Sequence, residues 1–355
     1  MIEIFQHSDK VNKNGSTFCY LCGCKVLDIV FSASRQPLII VLLTLVAMLF
    51  SALYLRVDNL FVQESIVEQG TCLTQLICSL EQRAPLFSMI GAGVVLLFAA
   101  LMVSRIGARH SLYKSGTLLP IPLYALVAVG LFVSRTPLCG ALCGLLFVRA
   151  VRNFCSSFRD GYTFTYIFRA SLYLSLMVVI SPSTLPLLLL FPIALLNFKR
   201  TLRESLVAFA GLILPIFWVC YAEWAFGNDF LTPFNSIYEE FLSGEQLNLF
   251  TEASIVLIFE LMVLLSATLC AIFYFLSGRY SMLMKSRAVL TFMVWAFILS
   301  LSSLFIPGAS TNIFIVVALP AALLMPYLFV IIRPIYANTL YVVMLVLFAV
   351  RLCTL

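Results

Sequence analysis

The residues best placed to do chemistry in this sequence are a few charges at the margins of long apolar runs. Arg56 and Asp58 follow the apolar run Leu38–Leu55, Glu64 and Glu68 lie farther along the same stretch, Arg83 closes it, and Arg135 sits between two later runs. Arginine forks match phosphate and pyrophosphate oxygens. A neighbouring carboxylate can act as a general base or help hold a divalent cation. Asp58, Glu64 and Glu68 are therefore the catalytic candidates, and Arg56, Arg83 and Arg135 the binding candidates. The simpler alternative is that all six are solvated loop charges. Glu260 stands apart as the only carboxylate well inside an apolar run, about two turns past Glu252. An acid inside a bilayer is costly, and its usual tasks are proton relay, cation binding or pairing with an arginine. It joins the binding candidates, against the alternative of a carboxylate hydrogen-bonded near the interface.

Other reactive side chains point to less. The two histidines, His7 and His110, lie on different segments, which argues against a multi-histidine metal centre. Cys19, Cys22 and Cys24 form CYLCGC, but no second pair or nearby histidine completes four ligands. Cys72 and Cys78 could close a small disulfide loop in an oxidising compartment or remain as two thiols. No phosphate-binding loop, nucleophile elbow, zinc-protease helix or dinucleotide fingerprint is present. Neither a metal, a cofactor nor a nucleic-acid partner is expected.

Composition decides what must position these residues. Of the 355 residues, 62% are hydrophobic and 11% charged, whereas soluble domains are about 45–50% apolar and about 25% charged. A soluble enzyme and a disordered chain are both excluded. The chain reads as an all-α polytopic membrane bundle. Apolar stretches near 38–55, 85–104, 117–134, 137–150, 170–181, 183–197, 204–222, 253–277, 288–306, 312–331 and 335–352 predict ten or eleven spans. The pieces at 137–150, 170–181 and 183–197 are short, and Ser181-Pro182-Ser183-Thr184 either joins two helices or kinks one. Residues 1–37 read as a basic cytoplasmic segment rather than a signal peptide, and residues 38–355 as a single transmembrane domain.

Charge supplies an orientation. With the N-terminus in the cytoplasm, every Lys and Arg falls in an inner loop except Arg56, Arg83, Arg135 and Arg351. The acids show the opposite bias, with Asp58, Glu64, Glu68, Glu81, Glu223, Asp229, Glu239, Glu240, Glu245 and Glu252 at or beyond the outer ends. Insertion does not demand that bias, so any chemistry is expected on the outer face. The predicted location is a multi-pass protein of the inner membrane.

Three segments outside the apolar cores carry further expectations. Thr232-Pro233 makes an N-cap and first-turn pair, and Phe234, Ile237, Tyr238, Phe241 and Leu242 form one apolar stripe, so 232–242 predicts an interfacial helix. It is either a connector or a lid over an outer cavity. Residues 152–169 mix arginines with aromatics and predict a surface-lying or re-entrant segment that meets anionic headgroups. Gly140 and Gly144 form a GxxxG pair suited to close helix packing within the bundle or to a homodimer.

The stretch from Ile167 to Trp224, IFRASLYLSLMVVISPSTLPLLLLFPIALLNFKRTLRESLVAFAGLILPIFWVCYAEW, resembles an uncharacterised family of bacterial polytopic inner-membrane proteins. Its order of helix, apolar pair around a Pro-containing turn, basic loop and Gly/Pro-containing helix is also similar to the middle of membrane glycosyltransferases of the C-type fold. That second resemblance implies a polyprenyl-phosphate sugar as substrate and a catalytic acid in the first outer loop, a position occupied here by Asp58. Two functions follow as expectations. One is a cell-envelope assembly, scaffold or transport component with membrane lipids and a second protein or a second copy as partners. The other is a polyprenyl-phosphate-dependent glycosyltransferase with an outer-face site.

Overall fold

The computed structural model describes residues 41, 46, 71–113, 117–130, 137–156, 163–242, 255–306 and 313–354. Among these residues every regular element is helical. In chain order they are α1 (Cys72–Arg83), α2 (Pro85–Arg109), α3 (Pro120–Gly130), α4 (Pro137–Ser156), α5 (Phe164–Ile180), a 3-10 helix (Pro182–Leu189), α6 (Leu190–Asn197), α7 (Leu202–Ala225), α8 (Thr232–Leu242), α9 (Ile255–Gly278), α10 (Met284–Ser302), α11 (Ile313–Ile331) and α12 (Pro334–Thr354). Among the described residues seven helices are long and apolar enough to cross a membrane: α2, α4, α7, α9, α10 with its 3-10 extension, α11 and α12. The chain is an integral membrane bundle of the all-α class.

Several of these helices start on proline, namely α2, α3, α4 and α12. Proline has no N–H to lose in a first turn, and its fixed φ already suits a helix. At the start of α7, Thr201-Leu-Arg-Glu204 has the spacing of a capping box, and the Glu204 carboxylate accepts from the Thr201 N–H at 3.2 Å.

The centre of the bundle is α11. It carries no charged residue and is buried along nearly its whole length, packed against α2, α3, α4, α9, α10 and α12. A helix that is apolar all round belongs in a core. Pro320 and Pro326 lie inside it, and Pro326 can offer no N–H to the carbonyl of Ala322. Beside that break the Tyr113 hydroxyl donates to the Leu323 carbonyl at 2.7 Å. Close approach of α4 to α11 rests on Gly144, where a Cβ would collide with Ile315 Cγ2 and meet Tyr124 Oη at 3.1 Å. The small-residue pair of α4 thus packs internally through Gly144. A second close approach joins α5 and α7 at Gly211, where a Cβ would lie 2.8 Å from the Phe168 carbonyl.

One sequence expectation needs correction and another is resolved. Residues 152–169 do not form a surface-lying or re-entrant segment in their described parts. Arg152 lies within α4 and Arg169 within α5, both of which run past the ends of the apolar runs. The apolar pieces at 137–150 and 170–181 looked short because Arg149, Arg152 and Arg169 interrupt them. Long basic side chains can sit on a continuing helix and extend their heads toward the headgroups. The Ser181–Thr184 linker joins two helices, the first of the two expected readings. It opens a 3-10 helix of 8 residues, with Pro182 at its start and Pro186 inside, that leads directly into α6.

Side-chain bonds define the two ends of the bundle. At one end the Ser286 hydroxyl donates to the His110 carbonyl (2.9 Å), Asn197 Nδ2 donates to the Ala288 carbonyl (2.7 Å) and Glu204 accepts from Thr163. At the other end Thr71 and Thr74 meet the end of α5, Glu81 meets the start of α4, and Arg351 meets Glu260. Among the described residues every Lys and Arg except Arg83 and Arg351 lies in the half toward the first end, and every acid except Glu204 toward the second. These are the basic end and the acidic end.

Candidate functional site

Of the charged candidates, Arg83 and Glu260 are described, and both lie at the acidic end. Arg56, Asp58, Glu64, Glu68 and Arg135 lie outside the described residues, as do CYLCGC and nearly all of the first apolar run. Arg83 is described: it is exposed in the last turn of α1, where a cation complements the partial negative charge of a helix C-terminus. Cys72 and Cys78 both fall on α1, six residues apart. That is a rise of about 9 Å, beyond the roughly 7 Å Cα separation that a disulfide tolerates. The two cysteines therefore cannot close a loop while α1 is intact.

Three polar contacts seat α1 on the bundle, and periodicity could not foresee them. Where α5 ends before Pro182, its last carbonyls lack intrahelical donors. Thr71 Oγ1 donates to the Val179 carbonyl at 3.0 Å, and Thr74 Oγ1 donates to that of Ile180 at 3.2 Å. Cys139 Sγ approaches the same Ile180 carbonyl at 3.9 Å. On the far side of α1 the buried Glu81 carboxylate accepts the N–H of Leu138 in the first turn of α4. A carboxylate there satisfies an orphan donor and suits the positive pole of the helix.

Glu260 is almost fully buried and lies 3.3 Å from Arg351 Nη1, itself 3% exposed. The bond joins α9 to α12. Of the tasks open to an intramembrane acid, the described geometry displays pairing with an arginine. Glu260 Oε2 makes that contact, while Oε1 is buried with no hydrogen-bond partner among the described residues.

Glu204 is a polar centre that sequence inspection for function passed over. Its Oε1 accepts the N–H and hydroxyl of Thr163 at 3.1 and 3.3 Å and faces Arg200 Nη1 at 3.4 Å. One carboxylate thus caps the starts of both α5 and α7. The Thr-x-x-Glu spacing at 201–204 was the available signal.

A groove lies on the lipid-facing side. Helices α9 and α10 each pack on α11 rather than on one another. Between them runs a shallow, wholly apolar groove with Leu261, Leu264 and Leu265 on one wall, Phe297 and Leu301 on the other, and Val317 in its floor. Thr268 borders it, but its hydroxyl is turned to the Leu264 carbonyl at 3.0 Å. Leu261 and Leu264 flank Glu260 in sequence, so the groove begins near the ion pair and lies mainly in the half toward the acidic end.

The helix expected at 232–242 forms, as α8. It rests on the end of α7 and on the 3-10 helix, burying Pro233 and Ile237 while Phe234 and Tyr238 stay exposed. Its predicted stripe is therefore split between protein and surroundings. Comparison of the chain with protein-family models, with characterised proteins and with solved structures returned no match.

Proposed function

We propose that this chain is a multi-pass inner-membrane component of cell-envelope assembly or transport that engages a lipid from within the bilayer. The carrying observation is the apolar groove between α9 and α10 over α11. A groove without polar surface and with about 30 Å³ of free space can seat a short stretch of an acyl or isoprenoid chain along its surface, and no aqueous ligand. The positive-inside bias supports a cytoplasmic basic end and N-terminus, with the acidic end outside. The groove then opens toward the outer leaflet.

Its position favours one more specific reading, a polyprenyl-phosphate-dependent glycosyltransferase. The lipid chain would occupy the groove while Arg56, Arg83 and Arg135 bind phosphate and Asp58, Glu64 or Glu68 serves as base. This reading draws on the resemblance of Ile167–Trp224 and on the outer position of Asp58.

The experiment is purification in mild detergent followed by mass spectrometry of retained lipid. A single lipid species near one per protein is expected, and Leu301→Trp should release it by filling the groove. Retention of only a mixed annular population, unchanged by Leu301→Trp, would refute lipid engagement at this groove. If the lipid is a polyprenyl phosphate, Asp58→Asn, Glu68→Gln and Arg83→Ala should each abolish sugar transfer at unchanged membrane levels. Loss of activity on changing Arg152 or Arg159 instead would place the chemistry at the basic end.

A further inference from the structure

A cavity of about 450 Å³ opens at the basic end, lined by Arg105, Arg109 and His110 from the end of α2 and by Arg152 from α4. Its size falls within the roughly 300–1,000 Å³ of ligand sites. Arg105 and Arg109 are one helical turn apart, a spacing that sets like charges on one face and destabilises a helix slightly. Arg152 approaches from the neighbouring helix, against which α2 packs closely. Three arginines therefore border one cavity, together with Ile106 and Ala108, and among the described residues none of the three forms an ion pair.

The walls are held in place. Ser286 at the start of α10 donates to the carbonyls of both His110 and Ser111, at 2.9 and 3.2 Å, pinning the turn that ends α2. Ser111 adopts a left-handed φ of 47°, which reverses the chain directly after the cavity. One turn before Arg152, the Arg149 guanidinium lies 5.7 Å over the Phe98 ring, linking α4 to α2 again. Burial, then the positive charges of Arg109 and Lys285, hold His110 below its ordinary imidazole range. Burial first, and the neighbouring cations second, thus disfavour a further positive charge there.

Insertion explains basic residues at this end, but not their convergence. The positive-inside bias is met by charges anywhere near the inner ends of the helices, as at Arg203, Arg279 and Arg333. It does not require three arginines and a histidine to border one space. Guanidinium forks match phosphate oxygens in both charge and geometry.

We infer that this cavity is a binding site for a phosphate group, presented by a lipid headgroup at the basic face or by a small soluble phosphate compound. It is separate from the groove and does not depend on the function proposed above.

The test is thermal unfolding of the full-length protein in neutral detergent, titrated at constant ionic strength with inorganic pyrophosphate or with dihexanoyl phosphatidic acid. Sodium sulfate and dihexanoyl phosphatidylcholine serve as controls. A saturable rise in melting temperature is expected with at least one phosphate probe and with neither control. The double variant Arg105→Gln/Arg152→Gln should weaken the apparent affinity at least tenfold, while Arg333→Gln should respond like the wild type. A response to both probes means that the phosphate itself is recognised. A response to phosphatidic acid alone identifies a headgroup site, and one to pyrophosphate alone a soluble ligand. Should the double variant not fold, the exposed single change Arg109→Gln and direct binding of radiolabelled pyrophosphate give the same comparison. Absence of a saturable shift with either probe, or equal shifts in the wild type and the cavity variants, would overturn the site.

Discussion

Glu260 and Arg351 show what a single charge does inside an apolar bundle. Two ions removed from water lose solvation that their mutual attraction only partly restores, so such a pair rarely adds net stability over apolar residues of similar size. Breaking it is different, because the remaining ion is left buried without a counter-charge at a cost of about 3–5 kcal/mol. Glu260→Leu alone and Arg351→Met alone should each lower the melting temperature in detergent sharply. The double variant Glu260→Leu/Arg351→Met should recover most of the loss. Recovery of stability together with function would assign Glu260 to joining α9 and α12. Recovery of stability without function would assign it a ligand or a proton. Glu204 belongs to the same class, but it serves two helix starts at once and has the basic end's only described carboxylate.

Among the elements, the contact of α4 with α11 sets the spacing of the core. Backbones approach this closely only where one carries no Cβ, and Gly144 faces Ile315 for that reason. Gly144→Leu would force α4 away from α11 and disturb α3 as well, since Tyr124 of α3 lies at the same point. Overpacking of this kind costs about 1–3 kcal/mol or more. The expected readout is a lower melting temperature and reduced membrane accumulation, whereas Leu145→Ala, on the next face of α4, should change both less. An unaffected Gly144→Leu protein would show that this approach is looser than its geometry. The break between α5 and the 3-10 helix is the other feature at this scale. Its last carbonyls are tolerable because Thr71 and Thr74 at the start of α1 supply hydroxyls, so α1 is tied to the break that follows α5.

At the scale of the whole molecule, charge segregation is the dominant property. Twelve of the described Lys and Arg residues sit toward one end, and the acids, Glu204 apart, toward the other. Exposed reporter positions exist at both ends, Gln82 on α1 and Lys285 in the first turn of α10. In a cysteine-free background, a membrane-impermeant maleimide should label Gln82→Cys from the periplasmic side of intact spheroplasts. Lys285→Cys should react only after permeabilisation. The reverse pattern would invert the orientation, along with the outer-leaflet assignment of the groove.

Much of this fold was legible in the sequence because the bilayer imposes simple rules on composition. Long apolar runs must become helices where no water can satisfy the backbone, and basic residues mark one side of insertion. The spans at 85–104, 204–222, 253–277, 288–306, 312–331 and 335–352, the helix at 232–242 and the isolation of Glu260 all follow from local pattern. The true extents of α4 and α5 did not, because arginine within a helix reads as the end of an apolar run. Nor could local pattern pair Glu260 with Arg351, seat Glu81 at the start of α4, leave α9 and α10 apart over α11, or bring Arg152 to Arg105 and Arg109. Those contacts join residues tens to hundreds of positions apart. One apolar helix face packs nearly as well as another, so composition settles which segments enter the membrane, while close packing and the burial of polar groups decide which neighbours they meet.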